Sequence, residues 1–356
     1  MSAAGFAPIA VTGVGAISAV GSNAEQTCAS VRAGIMGLAE HLYYQPTTRE
    51  PGWDDDEPLL VAPVGSIDPF LDGPGRLLEL ATSALMDLAG SAGLKRKEIG
   101  SGALLISLPA PDAVVDGWGL AREFVPSLRR RTGLSAFKAE RTTQTGHTGM
   151  IELLREASDL LSTRAVDLCV LLGVDSYLSG DRMELLDAAY RIKSARNVDG
   201  FVPGEAATAL LLETPRRAAE RAATVHAVIS GVGFGAEPET AASEKQSTGA
   251  GLCQALRALV ERPRRAEWVI CDLNGESYRS FEWGVAMARL GEELGGVKQL
   301  VHPASSFGDI GAATGGAMVA VAAAAFRRGY APASEAVLWS SGAGAVRAAA
   351  RVQGAG

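Results

Sequence analysis

A histidine within a run of small residues is the side chain best placed for chemistry in this sequence. Residues 145–149 are Thr-Gly-His-Thr-Gly, which is typical of a tight turn. Apolar side chains follow at helical spacing and predict an amphipathic helix after the turn: Leu153, Leu154, Ala157, Leu160 and Leu161. Free backbone N–H groups at a helix start favour negative charge and activate a nucleophile. His147 is therefore the first candidate for a functional residue.

Apolar runs predict the strands that must position this turn. Residues 166–176 follow the helix, and their apolar character is typical of a buried strand. Further strands are predicted at 9–18, 103–108, 210–212, 226–234, 268–276 and 337–345, and further helices at 76–92, 249–260 and 317–327. Residues 41–75 and 109–141 lack a regular pattern, and 216–223 are interpreted as a charged linker. Abundant Gly and Ala suit closely packed α/β layers.

Composition and charge exclude several classes of protein. The chain has 356 residues, enough for one large core or two fused halves of ~150–180 residues each. The net charge is −7 and the sequence has no basic run, so nucleic acid is not an expected partner. No uninterrupted apolar stretch of about 18 residues occurs, so neither a signal peptide nor a membrane span is expected.

Cysteines and loop motifs predict neither a metal site nor a nucleotide cofactor. The four cysteines have no CxxC spacing and are interpreted as buried, reduced thiols of a cytoplasmic protein: Cys28, Cys169, Cys253 and Cys271. Gly13 and Gly15 begin a GxGxxG pattern, but Ser18 stands where its third glycine belongs. The acidic run 54–57 is expected to be a solvated loop, because consecutive acids point in different directions.

The order of turn, helix and strand resembles the nucleophile region of the β-ketoacyl synthases, the condensing enzymes of the thiolase-like superfamily. The strand ends in Gly-Val-Asp-Ser at 173–176, as in that family. An ungapped count places His147 where the family has its acyl-accepting cysteine. A shift of three residues would place Gln144 there instead, as in decarboxylating or chain-length-factor relatives. His147 is preferred because it keeps the helix in register with the family.

Other segments carry the same resemblance in the same order. Residues 11–15 resemble the opening Val-Thr-Gly-Xaa-Gly of the family, and residues 198–206 resemble its Gly-Phe-Val-Xaa-Gly-Glu loop. By this resemblance Asn274 takes the position of one catalytic histidine, and Asp309 takes the position of the other. Ala343 replaces a gating phenylalanine. The resemblance therefore implies that every residue of the Cys-His-His set has changed while its loops remain.

The resemblance also implies the architecture. The expected fold is α/β: a thiolase fold, a five-layer α-β-α-β-α sandwich of two halves related by a pseudo-twofold axis. The halves are predicted to span 1–221 and 222–356. In this family a strand after the 109–141 region extends a sheet across a dimer axis, so a homodimer or a heterodimer with a related synthase is expected. The three arginines at 129–131 are expected to be solvated, or to meet an acidic carrier protein.

Three functions remain open from the sequence. Condensation needs a thiolate to hold the acyl group, so elongation is not expected. The first function is non-condensing binding of an acyl thioester such as acyl-CoA, an acyl carrier protein or a partner subunit. The second is acyl transfer, decarboxylation or thioester hydrolysis with Asp309 orienting His147 as a general base. The third is a non-enzymatic accessory or assembly protein.

The resemblance further predicts one shared pocket. Asn274, Asp309 and Ala343 are expected to meet His147 there, with Ala343 and Gly344 near an oxyanion hole. The loss of the gating ring is expected to open the pocket unless Phe201 or Phe307 fills it. The alternative role for His147 is that of a buried polar residue hydrogen-bonded to Asp309 or Asn274.

Overall fold

A computed structural model describes residues 5–41, 59–93, 96–194, 197–243, 245–259 and 266–355. Its long strands alternate with helices along the chain, as the apolar runs predict. The strands are β1 (Ile9–Ser18), β2 (Ala39–Glu40), β3 (Leu60–Val61), β4 (Ala103–Ser107), β5 (Ala139–Thr143), β6 (Leu168–Ser176), β7 (Glu205–Glu213), β8 (Ala227–Ala236), β9 (Trp268–Cys271), β10 (Gln299–Val301), β11 (Glu335–Ser341) and β12 (Val346–Gln353). β2 and β3 pair only with each other.

The remaining ten strands form two sets with the same internal order. One set runs β5-β4-β6-β7-β1 and the other runs β10-β9-β11-β12-β8. If the five strands of each set are counted in chain order, the third lies at the outer edge. The second, fourth, fifth and first strands follow it across the set. The two first strands, β1 and β8, join the sets through antiparallel pairing of 9–11 with 227–229. This repeated order is the twofold relation that the resemblance implied.

Helices cover both faces of each set and fill the space between the sets. They are α1 (Ala24–Ala33), α2 (Gly73–Ala92), α3 (Arg96–Gly100), α4 (Leu120–Thr132), α5 (Gly149–Ser162), α6 (Gly180–Ala188), α7 (Pro215–Glu220), α8 (Ala250–Arg257), α9 (Ser277–Arg289), α10 (Gly291–Leu294), α11 (Ala304–Phe307) and α12 (Thr314–Arg327). Helices α5 and α12 contact strands of both sets, whereas α2 packs on β1, β6 and β7, and α8 packs on β8 and β12. The fold is therefore the predicted five-layer α-β-α-β-α sandwich.

Small residues allow these layers to approach closely. Helix α12 is made largely of alanine, valine and glycine, and most of it is buried between the two sets, as its composition predicts. Gly15 on β1 faces α2, where an added Cβ would lie 2.2 Å from the carbonyl oxygen of Ala84. Only glycine permits that contact, since backbone atoms cannot give way as a side chain can. The central apolar core draws on α5, α12 and strands of both sets.

Two segments differ from the sequence interpretation. The region 109–141 contains α4, and its arginines occupy the last helical turn rather than a loop. Arg129 pairs with Glu140 at 3.0 Å and Arg131 pairs with Glu79, so two of the three are engaged with carboxylates. The charged segment after β7 contains helix α7, not only a linker.

Two arginines, one on α7 and one directly after it, share a buried partner. Arg217 and Arg221 bind the carboxylate of Glu213, which is fully buried at the end of β7. The boundary at 221/222 falls between α7 and β8 and stays a prediction. The acidic run 54–57 lies outside the described residues.

Candidate active site

The turn that carries His147 is shaped by a glycine. Gly146 has a φ of +61°, a left-handed conformation that favours glycine over residues with a Cβ. Residues Gly146–Thr148 form one 3₁₀ turn, and α5 begins directly after it. The second half repeats this arrangement, with a 3₁₀ turn at Gly311–Ala313 before α12. His147 thus sits, only 5 % exposed, between the two halves.

Two loops of the second half bring Asp309 and Asn274 to this histidine. Asn274 follows β9, and Asp309 lies between α11 and the 311–313 turn. The backbone of Asp309 donates to the carbonyl of Val202 at 2.8 Å and accepts from the N–H of Gly204 at 2.9 Å. The loop 198–206 therefore holds the backbone of Asp309 in place.

Asp309 is the centre of the hydrogen-bond network. Its Oδ1 lies 2.7 Å from Nε2 of His147 and accepts the N–H of Gly311 at 2.8 Å. Its Oδ2 accepts from the Asn274 side-chain amide at 2.6 Å. Burial alone would raise the pKa of Asp309, but His147, Arg279 and the Gly311 N–H together hold it well below its usual value. The carboxylate is therefore ionised and fully engaged.

Arg279 is part of the site and is not identified by the sequence. It is fully buried on α9, and its guanidinium donates to Asp272 and to the carbonyl of Ser341. One of its terminal nitrogens lies 3.3 Å from Nε2 of His147. Because Nε2 faces the carboxylate of Asp309, it carries a proton and cannot also accept from the arginine. Arg279 therefore places a positive charge beside the His147 ring.

A weak sequence signal for Arg279 exists. It follows Asn274 by five positions and stands three residues before Glu282, on the helix that continues the predicted turn. A charged pair at that spacing shares one helix face. A solvent-exposed helix face would show the same charge spacing. The sequence therefore does not reveal that this face of α9 is buried.

Asp272 is a second residue that sequence reasoning missed. Its Oδ2 accepts the backbone N–H of Ser341 at 2.7 Å as well as a guanidinium N–H, whereas its buried Oδ1 has no hydrogen-bond partner among the described residues. Burial raises its pKa, and the charges of Arg279 and His147 partly oppose that shift. Asp272 thus binds Arg279, and Asp309 binds His147, on adjoining sides of the site.

The cavity beside His147 is small. Its volume of about 10 Å³ is room for about one water molecule. The lining residues are His147, Cys271, Asp272, Asn274, Pro303, Ala304, Phe307, Gly308, Asp309, Ile310, Thr314 and Ala317. Phe307 is 2 % exposed and is the large ring among them. An acyl chain has no room in this cavity as the residues stand.

Other candidates lie elsewhere. Ala343 and Gly344 are exposed in the turn between β11 and β12 and do not line the cavity. Gly342, just before them, lies against the His147 turn, where an added Cβ would be 3.7 Å from the carbonyl oxygen of Thr145. Phe201 is buried in a separate cluster and packs on Tyr177, with ring centroids 5.2 Å apart. Gln144 is half-buried, and its side-chain amide donates to the carbonyl of Pro109 at 3.4 Å.

Three backbone donors near the site are already paired. The N–H of Gly311 donates to Asp309, that of Ser341 donates to Asp272, and that of Ala312 donates to Asp175 at 2.9 Å. An oxyanion hole needs donors that point at the reacting oxygen and are not paired elsewhere. These three donors are therefore not free to form an oxyanion hole, and the expected hole near Ala343 stays a prediction.

The cysteines are poor nucleophiles. All four are free and buried, and burial raises the pKa of Cys28 and of Cys169 to about 12. Cys271 lines the small cavity, and burial raises its pKa as well. The thiolate is the reactive form, so each of these three is held in its unreactive state at neutral pH. No group of three or more potential metal ligands occurs among the described residues.

No protein-family model and no curated protein matches the sequence. Solved structures, in contrast, match over nearly the whole chain. The ishigamide ketosynthase/chain length factor has 17 % identity and a TM-score of 0.76, covering 99 % of this chain and 100 % of that one. A β-ketoacyl synthase from Burkholderia phymatum STM815 has 18 % identity and a TM-score of 0.74, covering 98 % and 100 %.

A third structure is a type II polyketide synthase acyl-carrier protein in complex with its ketosynthase bound to the hexaketide. It has 15 % identity and a TM-score of 0.76, covering 98 % of this chain and 100 % of that chain. The agreement in fold over full lengths shows that this chain has the ketosynthase-like thiolase fold. Identities this low establish the fold, and function must be argued from the site. None of the helices in the described ranges has the length and apolarity to cross a membrane.

Proposed function

We propose that this ketosynthase-like chain is a non-condensing subunit, in which a buried ionic network replaces the acyl-transfer machinery. The observation that carries the proposal is the cavity of about 10 Å³ beside His147. Polar groups of that site are bonded to one another: His147 to Asp309, Asn274 to Asp309, and Arg279 to Asp272. A site closed in this way stabilises the junction of the halves and leaves no space for a thioester.

The partner is a second copy of this chain or a related ketosynthase, and an acyl carrier protein docks on the assembly. Strand β5 supports the dimer, since it is the edge of its set and pairs only with β4 among the described residues. An unpaired strand edge is a ready template for pairing with another chain. The four free, buried thiols suit a reducing cytoplasmic compartment.

The first experiment tests for an acyl-enzyme. The protein is incubated with panels of acyl-CoA and acyl-carrier-protein thioesters, and free thiol release and intact mass are followed. An intact β-ketoacyl synthase serves as the positive control. We expect neither thiol release above background nor a mass increase. A stoichiometric acyl adduct mapped to Cys169 or Cys271 contradicts the proposal and the placement of His147 in the nucleophile position.

A second candidate function is hydrolysis or decarboxylation of a thioester with His147 as general base. The 2.7 Å contact with Asp309 orients the ring, and the cavity has room for one attacking water. If this function is correct, His147→Ala abolishes turnover and leaves the fold intact. The matched control is His302→Ala, because His302 is exposed and is not among the residues that line the cavity. Equal turnover by both variants rejects this candidate.

A further inference from the structure

Two adjoining hollows lie at the far end of α12 from His147. Their volumes are about 350 and 450 Å³, and they share four lining residues: Glu25, Cys28, Ala324 and Arg327. Helix α12 begins at Thr314 beside the small cavity and ends at Arg327. These two residues are 13 positions apart, and at a helical rise of 1.5 Å per residue they are separated by about 20 Å. The hollows, here called the α1–α12 cleft, are thus distinct from the candidate active site.

Three arginines give the α1–α12 cleft its charge. Arg327 and Arg328 both approach the same oxygen of Glu25, at 2.5 and 3.2 Å. One carboxylate thus pairs with two guanidinium groups. The side chains of both arginines and of Glu25 remain partly exposed. Arg32 adds a third positive charge, and its guanidinium lies 3.9 Å above the ring of Tyr330. The mouth of the cleft is therefore positive, although the whole chain carries a net charge of −7.

The other titratable groups of the cleft do not cancel this charge. Asp87, deeper in the cleft, accepts the backbone N–H groups of Ala16 and Ala24 through one carboxylate oxygen, at 3.0 and 2.8 Å. His226 also lines the inner hollow, where burial and the charge of Arg327 lower its pKa. Because His226 is then neutral near pH 7, the described lining has three positive and two negative groups.

Small apolar side chains form part of the cleft walls between the charged groups. Cys28 and Ala324 face both hollows, and Ala320 and Ala323 line the inner one. Small side chains on α12 leave the space that larger ones would fill. Concave sites of a few hundred Å³ with apolar walls and a few polar groups are typical of small-molecule binding. The cleft therefore has a charged mouth and, inside it, a strip of small apolar side chains beside the polar groups of the inner hollow.

We propose that the α1–α12 cleft binds a small organic phosphate. Arginine presents planar N–H donors that match phosphate oxygens in pairs, and Arg32, Arg327 and Arg328 surround the mouth. The organic part of the ligand lies on Cys28 and Ala324. Glu25 competes with the phosphate for two of the arginines, so ligand binding exchanges one anion for another.

Calorimetry at low salt tests the proposal with inorganic phosphate and hexyl phosphate as probes. We expect hexyl phosphate to bind at least about tenfold more tightly than inorganic phosphate, because its methylenes leave water. The double variant Arg327→Gln/Arg328→Gln should weaken hexyl phosphate binding at least about tenfold, since it removes two charge-assisted contacts. Glu25→Gln should strengthen binding, because it releases both arginines from their present partner.

Arg216→Gln is the matched control. Arg216 is an exposed helical arginine that pairs with Glu220 at 2.7 Å, and it does not line the cleft. Its removal lowers the positive charge by one unit, against two units in the Arg327→Gln/Arg328→Gln variant, and should leave affinity unchanged. The proposal is overturned if hexyl phosphate does not bind, if Glu25→Gln weakens binding, or if Arg216→Gln weakens it as much as the cleft variant. Circular dichroism of each variant confirms that it is folded before binding is compared.

Discussion

At the scale of single residues, Asp309 explains why the site holds together. It is a buried carboxylate that binds His147, Asn274 and a backbone N–H at once. A buried charge is tolerated only when such partners are present, and the removal of one partner leaves the other uncompensated. The stability of the junction should therefore depend on each member of this network.

His147→Ala tests that dependence. The variant leaves Oδ1 of Asp309 with only the Gly311 N–H and opens space beside Arg279, so we expect the free energy of unfolding to fall by about 3 kcal/mol. The exposed His302→Ala variant should stay within about 0.5 kcal/mol of the parent protein. Urea unfolding followed by circular dichroism measures both. A loss for His147→Ala no larger than for His302→Ala would show that the network does not stabilise the fold.

Asp309 also predicts a pH dependence. Its pKa is lowered in the folded state, so its contribution to stability is present above the unfolded value of about 3.9 and disappears as the pH falls through the folded value. Acidification from pH 6 to pH 2.5 should therefore lower the urea midpoint less steeply in Asp309→Asn than in the parent protein. Asp116→Asn, an exposed acid in a turn, is the control and should follow the parent profile. Parallel profiles for the parent protein and Asp309→Asn would contradict the assignment.

At the scale of elements, the two 3₁₀ turns before α5 and α12 position the site. Gly311 has a φ of +46°, and a Cβ added there would lie 2.0 Å from Oδ2 of Asp175. That oxygen accepts the N–H of Ala312, and Arg182 holds the other oxygen at 2.8 Å. The carboxylate therefore cannot move away without breaking its own bonds. The turn requires glycine for its conformation and for its space.

A comparison of Gly311→Ala with Gly329→Ala distinguishes the cost of the backbone conformation from the cost of the steric clash. Gly329 also has a positive φ, +69°, but no atom lies within 4 Å of an added Cβ. Gly329→Ala should cost about 1 kcal/mol of unfolding free energy from the backbone conformation alone. Gly311→Ala should cost a further ~1–3 kcal/mol because of the steric clash. Thermal and urea unfolding measure the difference, and equal losses would show that the close contact with Asp175 carries no penalty.

At the scale of the whole molecule, the repeated strand order leaves two edges. β5 ends one set and β10 ends the other, and each pairs with a single strand among the described residues. The proposed dimer uses the β5 edge. Light scattering at micromolar concentration should therefore give twice the mass of the chain, or a complex when a related ketosynthase is added.

Hydrogen exchange locates the interface within the same protein. Backbone N–H groups of β5 that do not pair with β4 should be protected if that edge is joined to another chain, whereas the corresponding groups of β10 should exchange freely. Both strands are edges of equivalent position, so β10 is the internal control. A monomer by light scattering with no related partner able to bind, or equal exchange at the two edges, would count against the β5 dimer.

The sequence alone predicted the long apolar strands and the most regular helices in their order, but not α4, β5 or α7. Hydrophobic periodicity reports the burial of one face along a local segment, so β1, β6, α5 and the small-residue α12 were predictable from a few neighbouring residues. The position of His147 on a tight turn was predictable for the same reason, since a run of small residues before a helix is a local signal. The resemblance added the two-half thiolase fold, which the repeated strand order confirms.

Only the tertiary structure decided how the site is completed. Asp309 stands 162 residues from His147, and Arg279 stands 132 residues from it, so no local pattern specifies their meeting. The resemblance led us to expect Asp309 beside His147, but it gave no indication of Arg279. The sequence also gave no indication that Ala343, which stands where the resembling family has a gating phenylalanine, lies exposed in a turn. Cavity volume depends on how Phe307 and its neighbours pack, which is a property of several segments at once. Local sequence sets burial and turn geometry, whereas long-range packing sets which charges meet and how much space remains between them.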